Sequence, residues 1–528
     1  MQYRSTIQPA ARLCLAGVFG FVLSGWGCGG FEGSIDGPQP SSDAPAAVSG
    51  GTRSDGLSSW DAGSSGRVLT ATGDLGQLDP DSDGLSNAVE LTYGSDPNLA
   101  DTDRDGVGDL AESVAGTDPT DSSANPMARG DFYFLTAFGA TPTPERETLL
   151  FATTLRSADL FILVDTTASM QPVLSVLQER LSTRIVPEAG RAIADLRVGV
   201  GAFQDLPTAP YGDPGDVVFA VTQAPTLDTK QVQAGVNALK LGSGGDGPEA
   251  AIPALYALAT GEALGTLIPP APACAHGGTG YACFRSGAVP IVLLVSDAEF
   301  HNGPQAENVY MNVSPLPANY ASALAALRAI HARVISIHVA SESSSAALAS
   351  ASPKGATPSP GAAVDHMRAL SRDTGAVGAD GQPLFFGVDA DATGLDARVV
   401  DAVRAVAEQV PISVSALLRD DPSDDQDATQ LIERIEAHTA SGGADAERCA
   451  SGLATRDRDG DGVPDTFASV RPGTPVCFDV WPRKNTRLRS GARPAVYRAF
   501  IDLVADDMTT LDTRSVYLLV PPAAPVLL

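Results

Sequence analysis

The sequence predicts a multi-domain chain of α/β plus β class: a doubly wound parallel sheet, a flanking β-sandwich, and N-terminal Ca²⁺-loop repeats. Three observations predict it. Two apolar runs, Leu160–Val164 and Ile291–Val295, lead into the aspartates Asp165 and Asp297 and alternate with helical patterns, as buried parallel strands do. After Pro411 the helices stop and short strand-like segments follow one another. From Asp79 an acidic pattern recurs with a period of 22 residues, Asp79 to Asp101.

The chain has 528 residues, too many for one core. Hydrophobic residues make up 43% and charged residues 19%, so most of the chain should fold. Acidic residues number 63 against 35 basic, for a net charge of -28. That balance argues against nucleic acid and anionic lipid surfaces as partners and favours cations.

Residues 1–28 carry Arg4 and Arg12, then an apolar region from Leu13 to about Leu23, and read as an export signal too short to span a bilayer. Cys28 in Leu-Ser-Gly-Trp-Gly-Cys resembles the lipidated cysteine of bacterial lipoproteins, with cleavage and secretion as the alternative. Either expectation places the protein outside the cytoplasm, as an outer-membrane lipoprotein of the cell envelope or in the extracellular medium, with the membrane touched only through an N-terminal lipid. Residues 29–75, rich in Gly, Ser, Pro, Asp and Ala, read as a flexible linker.

Residues 76–127 hold the two repeats. Asp79, Asp81, Asp83, Leu85, Asn87 and Glu90 form the first; Asp101, Asp103, Asp105, Val107, Asp109 and Glu112 form the second. Alternate carboxylates can converge on one Ca²⁺, the glycine between them permits a sharp turn, and the final Glu can bind from a short helix. Leu85 and Val107 would lend a backbone carbonyl to the ion and a side chain to a small core. The bland alternative is a solvated acidic linker. The repeats resemble bacterial thrombospondin type 3 repeats, and with so little apolar core their folding should depend on metal.

Residues 128–157 carry two strands, near Phe132–Leu135 and Thr148–Ala152. Two strands alone are unstable and need a sheet to join. The α/β domain occupies residues 158–410. Strands are expected at Ala158–Asp165, Arg197–Gln204, Val217–Thr222, Pro290–Ser296 and Arg333–Ala340. Helices are expected at Gln231–Leu239, Glu249–Ala259, Ala318–Ala332, Ala363–Arg372 and Thr393–Val410. The 269–287 insertion reads as a surface loop near the site, and Ser341–Gly361 as a loose segment.

Ligands bind at the carboxyl ends of parallel strands. Asp165 lies there, with Thr167 and Ser169 on the following turn, and this carboxylate–hydroxyl set suits Mg²⁺. The alternative is that one of the three merely caps the next helix. Leu241–Glu249 is a Gly-rich turn with two carboxylates, and the second strand ends in Asp297, so three separated segments supply oxygens at one sheet edge.

Val-Asp-Thr-Thr-Ala-Ser-Met, Gly-Gly-Asp-Gly-Pro-Glu and Ser-Asp-Ala-Glu-Phe-His together resemble the von Willebrand factor type A family, in its integrin β I-like form. The resemblance covers about Ala158 to Val410. It implies a metal-ion-dependent adhesion site of Asp165, Thr167, Ser169, Glu249 and Asp297 holding Mg²⁺ or Mn²⁺, and a protein ligand whose carboxylate completes the shell. Asp246 matches a residue of a neighbouring Ca²⁺ site, although Gly244 stands where that family has asparagine.

Residues 411–528 read as a β-sandwich with a third Ca²⁺-type loop, Asp457, Asp459, Asp461, Val463 and Asp465, where Ala468 replaces the closing Glu. Four cysteines outside the export segment suit an oxidising compartment, and proximity pairs Cys274 with Cys283 and Cys449 with Cys477. The six histidines lack zinc-ligand spacing, and His301 reads as a rim or structural residue. There is no phosphate loop and no nucleophile motif. A metal-dependent adhesion or protein-binding protein, not an enzyme, is the expectation. A structural envelope protein, or a hydrolase with Glu299 as base, is the alternative. Because strands flank the α/β domain on both sides, that domain is expected to be inserted into the sandwich; the alternative is beads on a string, with residues 131–155 packed on the α/β domain's own sheet edge.

Overall fold

The computed structural model describes residues 76, 78–274, 277–340, 363–439, 448–491 and 494–521. The export signal, Cys28, the 29–75 linker and the Ser341–Gly361 segment lie outside the described residues.

Each acidic repeat is a loop followed by a two-turn helix: α1 (Asn87–Tyr93) and α2 (Asp109–Ala115). Gly94 and Gly116, both at positive φ, end these helices. Leu85 and Val107 are buried. A Cβ at Gly84 would come within 2.3 Å of Pro494 and 3.2 Å of Leu110, so the first loop is wedged between the second repeat and the sandwich. The Asn125 amide donates to Asp105 Oδ2 at 2.6 Å, tying the second loop to the chain that follows.

β1 (Phe132–Leu135) and β2 (Glu147–Phe151) come next, then β3 (Ser157–Asp165), α3 (Gln171–Arg180), a π-helical turn at Leu181–Ile185 and α4 (Val186–Ala189). β4 (Asp195–Phe203), β5 (Ala220–Thr226), α5 (Thr229–Asn237), α6 (Ala251–Thr260) and β6 (Val289–Ser296) follow. The domain finishes with α7 (Tyr320–Ala329), β7 (Arg333–Val339), α8 (Ala363–Asp373), β8 (Phe385–Val388) and α9 (Leu395–Glu408). The six strands form one sheet in the order β5-β4-β3-β6-β7-β8, parallel except for β5.

Residues of β3 alternate between two cores, as the period of two requires. Leu160, Ile162 and Val164 pack with Val173 and Leu177 of α3, Val236 of α5 and Val403 of α9. Phe161 and Leu163 pack with Ile252 and Leu255 of α6, Leu327 of α7 and Met367 of α8. Both faces of the sheet are therefore covered by helices.

The remaining strands are β9 (Ile412–Asp420), β10 (Ile432–Ala437), β11 (Thr455–Arg456), β12 (Thr466–Val470), β13 (Val476–Pro482), β14 (Ala495–Ala505) and β15 (Thr509–Val520). They form two sheets that incorporate the early strands, β1-β15-β14-β9-β12-β11 and β10-β13-β2. β1 runs parallel to β15 with Phe132 opposite Val516, and β2 runs antiparallel to β13 with Phe151 opposite Val476. Phe467 of one sheet meets Phe478 of the other edge-on at 5.2 Å, closing the sandwich core. The chain leaves the sandwich after β2, makes the whole α/β domain, and returns at Ile412.

Three expectations need correcting. The strand read at Val217–Thr222 is displaced to Ala220–Thr226, because the Val217 amide is bound instead by the Gln204 side chain at 2.7 Å. The 269–287 insertion is not near the sheet edge that carries Asp165. Arg285 donates from its backbone and its Nε to Asp159, at the start of β3, at 2.7 Å each, which places the insertion at the opposite end. The third acidic loop is the tip of the β11–β12 hairpin, so Ala468 stands in a strand where the first two loops have a helix. Cys274–Cys283 and Cys449–Cys477 are both disulfide-bonded.

Candidate metal centre

The apolar run of β3 delivers Asp165 to the carboxyl edge of the sheet, fully buried. Asp165 Oδ1 accepts from the Thr167 amide at 2.9 Å and the Thr167 hydroxyl at 2.7 Å, and Oδ2 accepts from Ser296 at 2.7 Å. Thr167 and Ser169 hydroxyls stand 3.4 Å apart. Neither caps a helix: the 3₁₀ turn Ala168–Met170 and α3 both begin without a side-chain cap. Ser169 lines the same cleft as Asp297, which follows β6. The hydroxyls thus face the carboxylates.

Glu249 comes from the Gly-rich turn before α6. Its amide donates to the Glu299 carbonyl and its own carbonyl accepts from the His301 amide, both at 2.9 Å, so the backbone locks this turn against the loop after β6. Glu249 Oε2 is buried without a hydrogen-bond partner. Burial, then Asp165, Asp205, Asp246 and Asp297, push the Glu249 carboxyl up to about 10. Burial also raises Asp165, to about 6, and Asp297. Thr167, Ser169, Asp246, Glu249 and Asp297 line one cleft of about 280 Å³. A site this acidic, with an orphaned buried oxygen, is short of positive charge, and its hard oxygens fit a divalent cation such as Mg²⁺.

Asp246 lies on the same turn but faces a different group. His301 Nε2 stands 3.2 Å from Asp246 Oδ1 and 3.0 Å from Asp205 Oδ2. Burial opposes the charged imidazole, but Asp205, Asn308 and Asp246 together raise its pKa. Sequence reasoning missed Asp205, although the signal was present: it follows β4, beside β3, one Gln after the strand ends. His301, read as a rim residue, is buried within this cluster.

The two repeats present the same condition. One oxygen each from Asp79, Asp81 and Asp83 lie within 4.8 Å of one another, as do those of Asp101, Asp103 and Asp105. In the first loop Asp79 Oδ1, Asp81 Oδ2, Asp83 Oδ2, Asn87 Oδ1 and both Glu90 oxygens are buried without a partner; in the second, Asp103 Oδ2 and Glu112 Oε2 are. Asp109 instead accepts from Thr102, at 2.9 Å and 2.6 Å. Burial and the neighbouring aspartates push Asp83 and Glu90 up to about 7 and Glu112 to about 8. Asp457, Asp459 and Asp461 of the hairpin loop converge in the same way but are solvent-exposed.

The fold and the cleft define a mixed α/β domain with an acidic site at its sheet edge, carried on a β-sandwich. No family model matches the chain, and no curated protein matches it. Among solved structures it is similar to a von Willebrand factor type A protein from Catenulispora acidiphila, at 12% identity and a TM-score of 0.30, over 74% of this chain and 73% of that one. It is similar to proximal thread matrix protein 1 from the mussel byssus, at 10% identity and a TM-score of 0.28, over 49% of this chain and 48% of the other. It is also similar to the pilus adhesin SpaC from Lactobacillus rhamnosus GG in an open conformation, at 10% identity and a TM-score of 0.27, over 71% of this chain and 45% of the adhesin. Among the described residues no helix is long and apolar enough to cross a membrane, and the two disulfides are compatible with an exported protein.

Proposed function

We propose that this is an exported, metal-dependent adhesion or protein-binding protein. Asp165, Thr167, Ser169, Glu249 and Asp297 would hold Mg²⁺ or Mn²⁺, leaving a coordination position for a carboxylate offered by a partner protein. The acidic repeats would hold Ca²⁺, with the hairpin loop at Asp457–Asp465 as a weaker site. The observation that carries the reading is the buried, unpartnered Glu249 Oε2 among four other carboxylates, lining a cleft with two hydroxyls. A cation is the simplest group that satisfies all of them. Cys28 would serve as the lipid anchor, and its acylation is testable by mass spectrometry of the mature N-terminus.

A hydrolase would need a general base beside the metal. Glu299, the one base suggested by sequence, accepts from Asn308 at 3.1 Å and does not line the cleft, which disfavours that reading. The test is Mg²⁺ binding by calorimetry, with the Asp-rich loops saturated by Ca²⁺, followed by capture of envelope proteins. Wild-type protein should bind one Mg²⁺ and capture a partner that EDTA releases; Thr167→Ala and Asp165→Ala should lose both. Capture that survives EDTA and both substitutions would sink the adhesion reading.

A further inference from the structure

The loop between β6 and α7 has a backbone that the metal cleft alone does not require. Asn302, Ala306, Asn308 and Asn312 all take the left-handed conformation, with φ of 54°, 61°, 51° and 59°. Residues other than glycine seldom adopt it, and here four do so within one loop. Strained backbone persists only where its surroundings over-determine it, and it gathers at functional sites. The surroundings do so here. The Asn302 side chain accepts from the Tyr310 amide at 3.3 Å and donates to the Ala318 carbonyl at 2.9 Å. The Asn308 carbonyl accepts from the Asn302 amide at 3.1 Å.

This frame holds a segment whose side chains alternate. Tyr310 is buried: it stacks on His301 at 4.2 Å, meets Tyr211 edge-on at 4.9 Å, and donates its hydroxyl to Asp205. Its neighbours Val309 and Met311 are 47% and 68% exposed. Single exposed apolar side chains are ordinary. These two differ in being fixed in place at the rim of a candidate site. The Tyr211 hydroxyl accepts from the Met311 amide at 2.7 Å and donates to the Met311 carbonyl at 3.0 Å. The Tyr211 carbonyl in turn accepts from the amides of Gly245 and Asp246, at 2.9 Å and 3.2 Å. Asp246 lines the cleft, so Tyr211 alone bridges Met311 to the cleft wall.

We propose that Val309 and Met311 form an apolar wall beside the Mg²⁺ cleft, which takes a large apolar side chain lying next to the partner's carboxylate. This rests on the adhesion reading of the cleft. The partner is then an acidic segment with an apolar residue close to its Asp or Glu. A metal–carboxylate contact is the same for any acidic segment, so selectivity needs a second contact. The net charge of -28 repels acidic partners at long range, and a non-ionic contact is the kind that offsets this. Burying Met311 and Val309 against an apolar group is favourable, and the flexible thioether adapts to its shape. Because the backbone is fixed beforehand, little ordering opposes binding.

The test uses the full chain and an array of short peptides, each with a central Asp in a Gly/Ser background and a single Leu at each other position in turn. In Mg²⁺, Leu at a position close to the Asp should raise affinity roughly tenfold or more over the Asp-only peptide. Val309→Ser and Met311→Ser together should cancel that gain. Mg²⁺ affinity, to which neither side chain contributes, is the control for folding. Binding of the Asp-only peptide with no gain from Leu, or a gain that survives both substitutions, would overturn the wall and leave the metal reading standing. Leu-peptide binding that persists in EDTA, or no binding by any peptide, would overturn both. Self-association of the wild type that Met311→Ser abolishes would give the wall to a second copy of the chain and overturn the proposal as well.

Discussion

Metal binding at the Asp165 cleft should be a proton exchange, and Glu249 sets its size. Without an ion the Glu249 carboxyl is held near 10, chiefly by burial and then by four neighbouring carboxylates. Its proton is therefore in place at pH 7, and an arriving cation must expel it. Asp165, held near 6, contributes about a tenth of a proton at pH 7 and about half at pH 6. Mg²⁺ binding should release about 1.1 protons at pH 7, so affinity should rise roughly tenfold per pH unit there and weaken as pH falls. Glu249→Gln keeps the shape, removes the titrating group, and should reduce the count to about 0.1 at pH 7. The same raised pKa means that Glu249 favours the metal-free fold at low pH and that this contribution is lost as pH climbs from about 4 towards 10. Calorimetry in two buffers of different ionisation enthalpy reads the count directly. A wild-type value near zero at pH 7 would refute the reasoning, since a carboxyl held near 10 is protonated there.

Asp83, Glu90 and Glu112 are likewise raised, to about 7, 7 and 8, chiefly by burial. In EDTA the repeats should lose stability as pH rises from about 4 through 8, and Ca²⁺ should reverse the trend; equal protease resistance of residues 76–127 at pH 5 and pH 8, with and without Ca²⁺, would contradict this. Arg285→Ala leaves the fully buried Asp159 without its ion pair and should cost about 3–5 kcal/mol. Because the pair lies at the far end of the sheet, Mg²⁺ affinity of the folded protein should not change, and a thermal melt with calorimetry checks both halves. Cys477→Ser opens a disulfide of sequence separation 28 and should cost about 3.5 kcal/mol on loop entropy, read from denaturant unfolding with and without reductant.

Much of this architecture was legible in the sequence because its signals are local. An apolar run ending in aspartate reports a buried strand and its exit edge at once, as Leu160–Asp165 illustrates. Gly94 and Gly116 mark helix ends because the left-handed turn there favours glycine. What escaped notice depends on contacts distant in sequence. Asp205 joins the site because β4 lies beside β3, and the period of its strand does not reveal that neighbour. Gln204 displaced β5 through a side-chain bond to Val217, which no propensity records. The 269–287 insertion follows α6, which starts at the metal edge and ends at the other, so reading it as near the site ignored the length of one helix.

The way the chain threads the sandwich bears on the order in which it can form. The Ser515 amide reaches the Asp131 carboxylate across 384 residues of sequence, so β1 must wait, unpaired, until nearly the whole chain is available. Closing a loop of that length is entropically costly, each doubling adding about 0.6 kcal/mol. Once the α/β domain has folded, its first strand and last helix bring the neighbourhoods of Arg156 and Pro411 together, and the loop still to be closed falls from 384 residues to about 130. A reduction of about one and a half doublings recovers near 1 kcal/mol. The inserted domain is therefore a template for its own host: what destabilises the central sheet should also delay the closure of the sandwich around it.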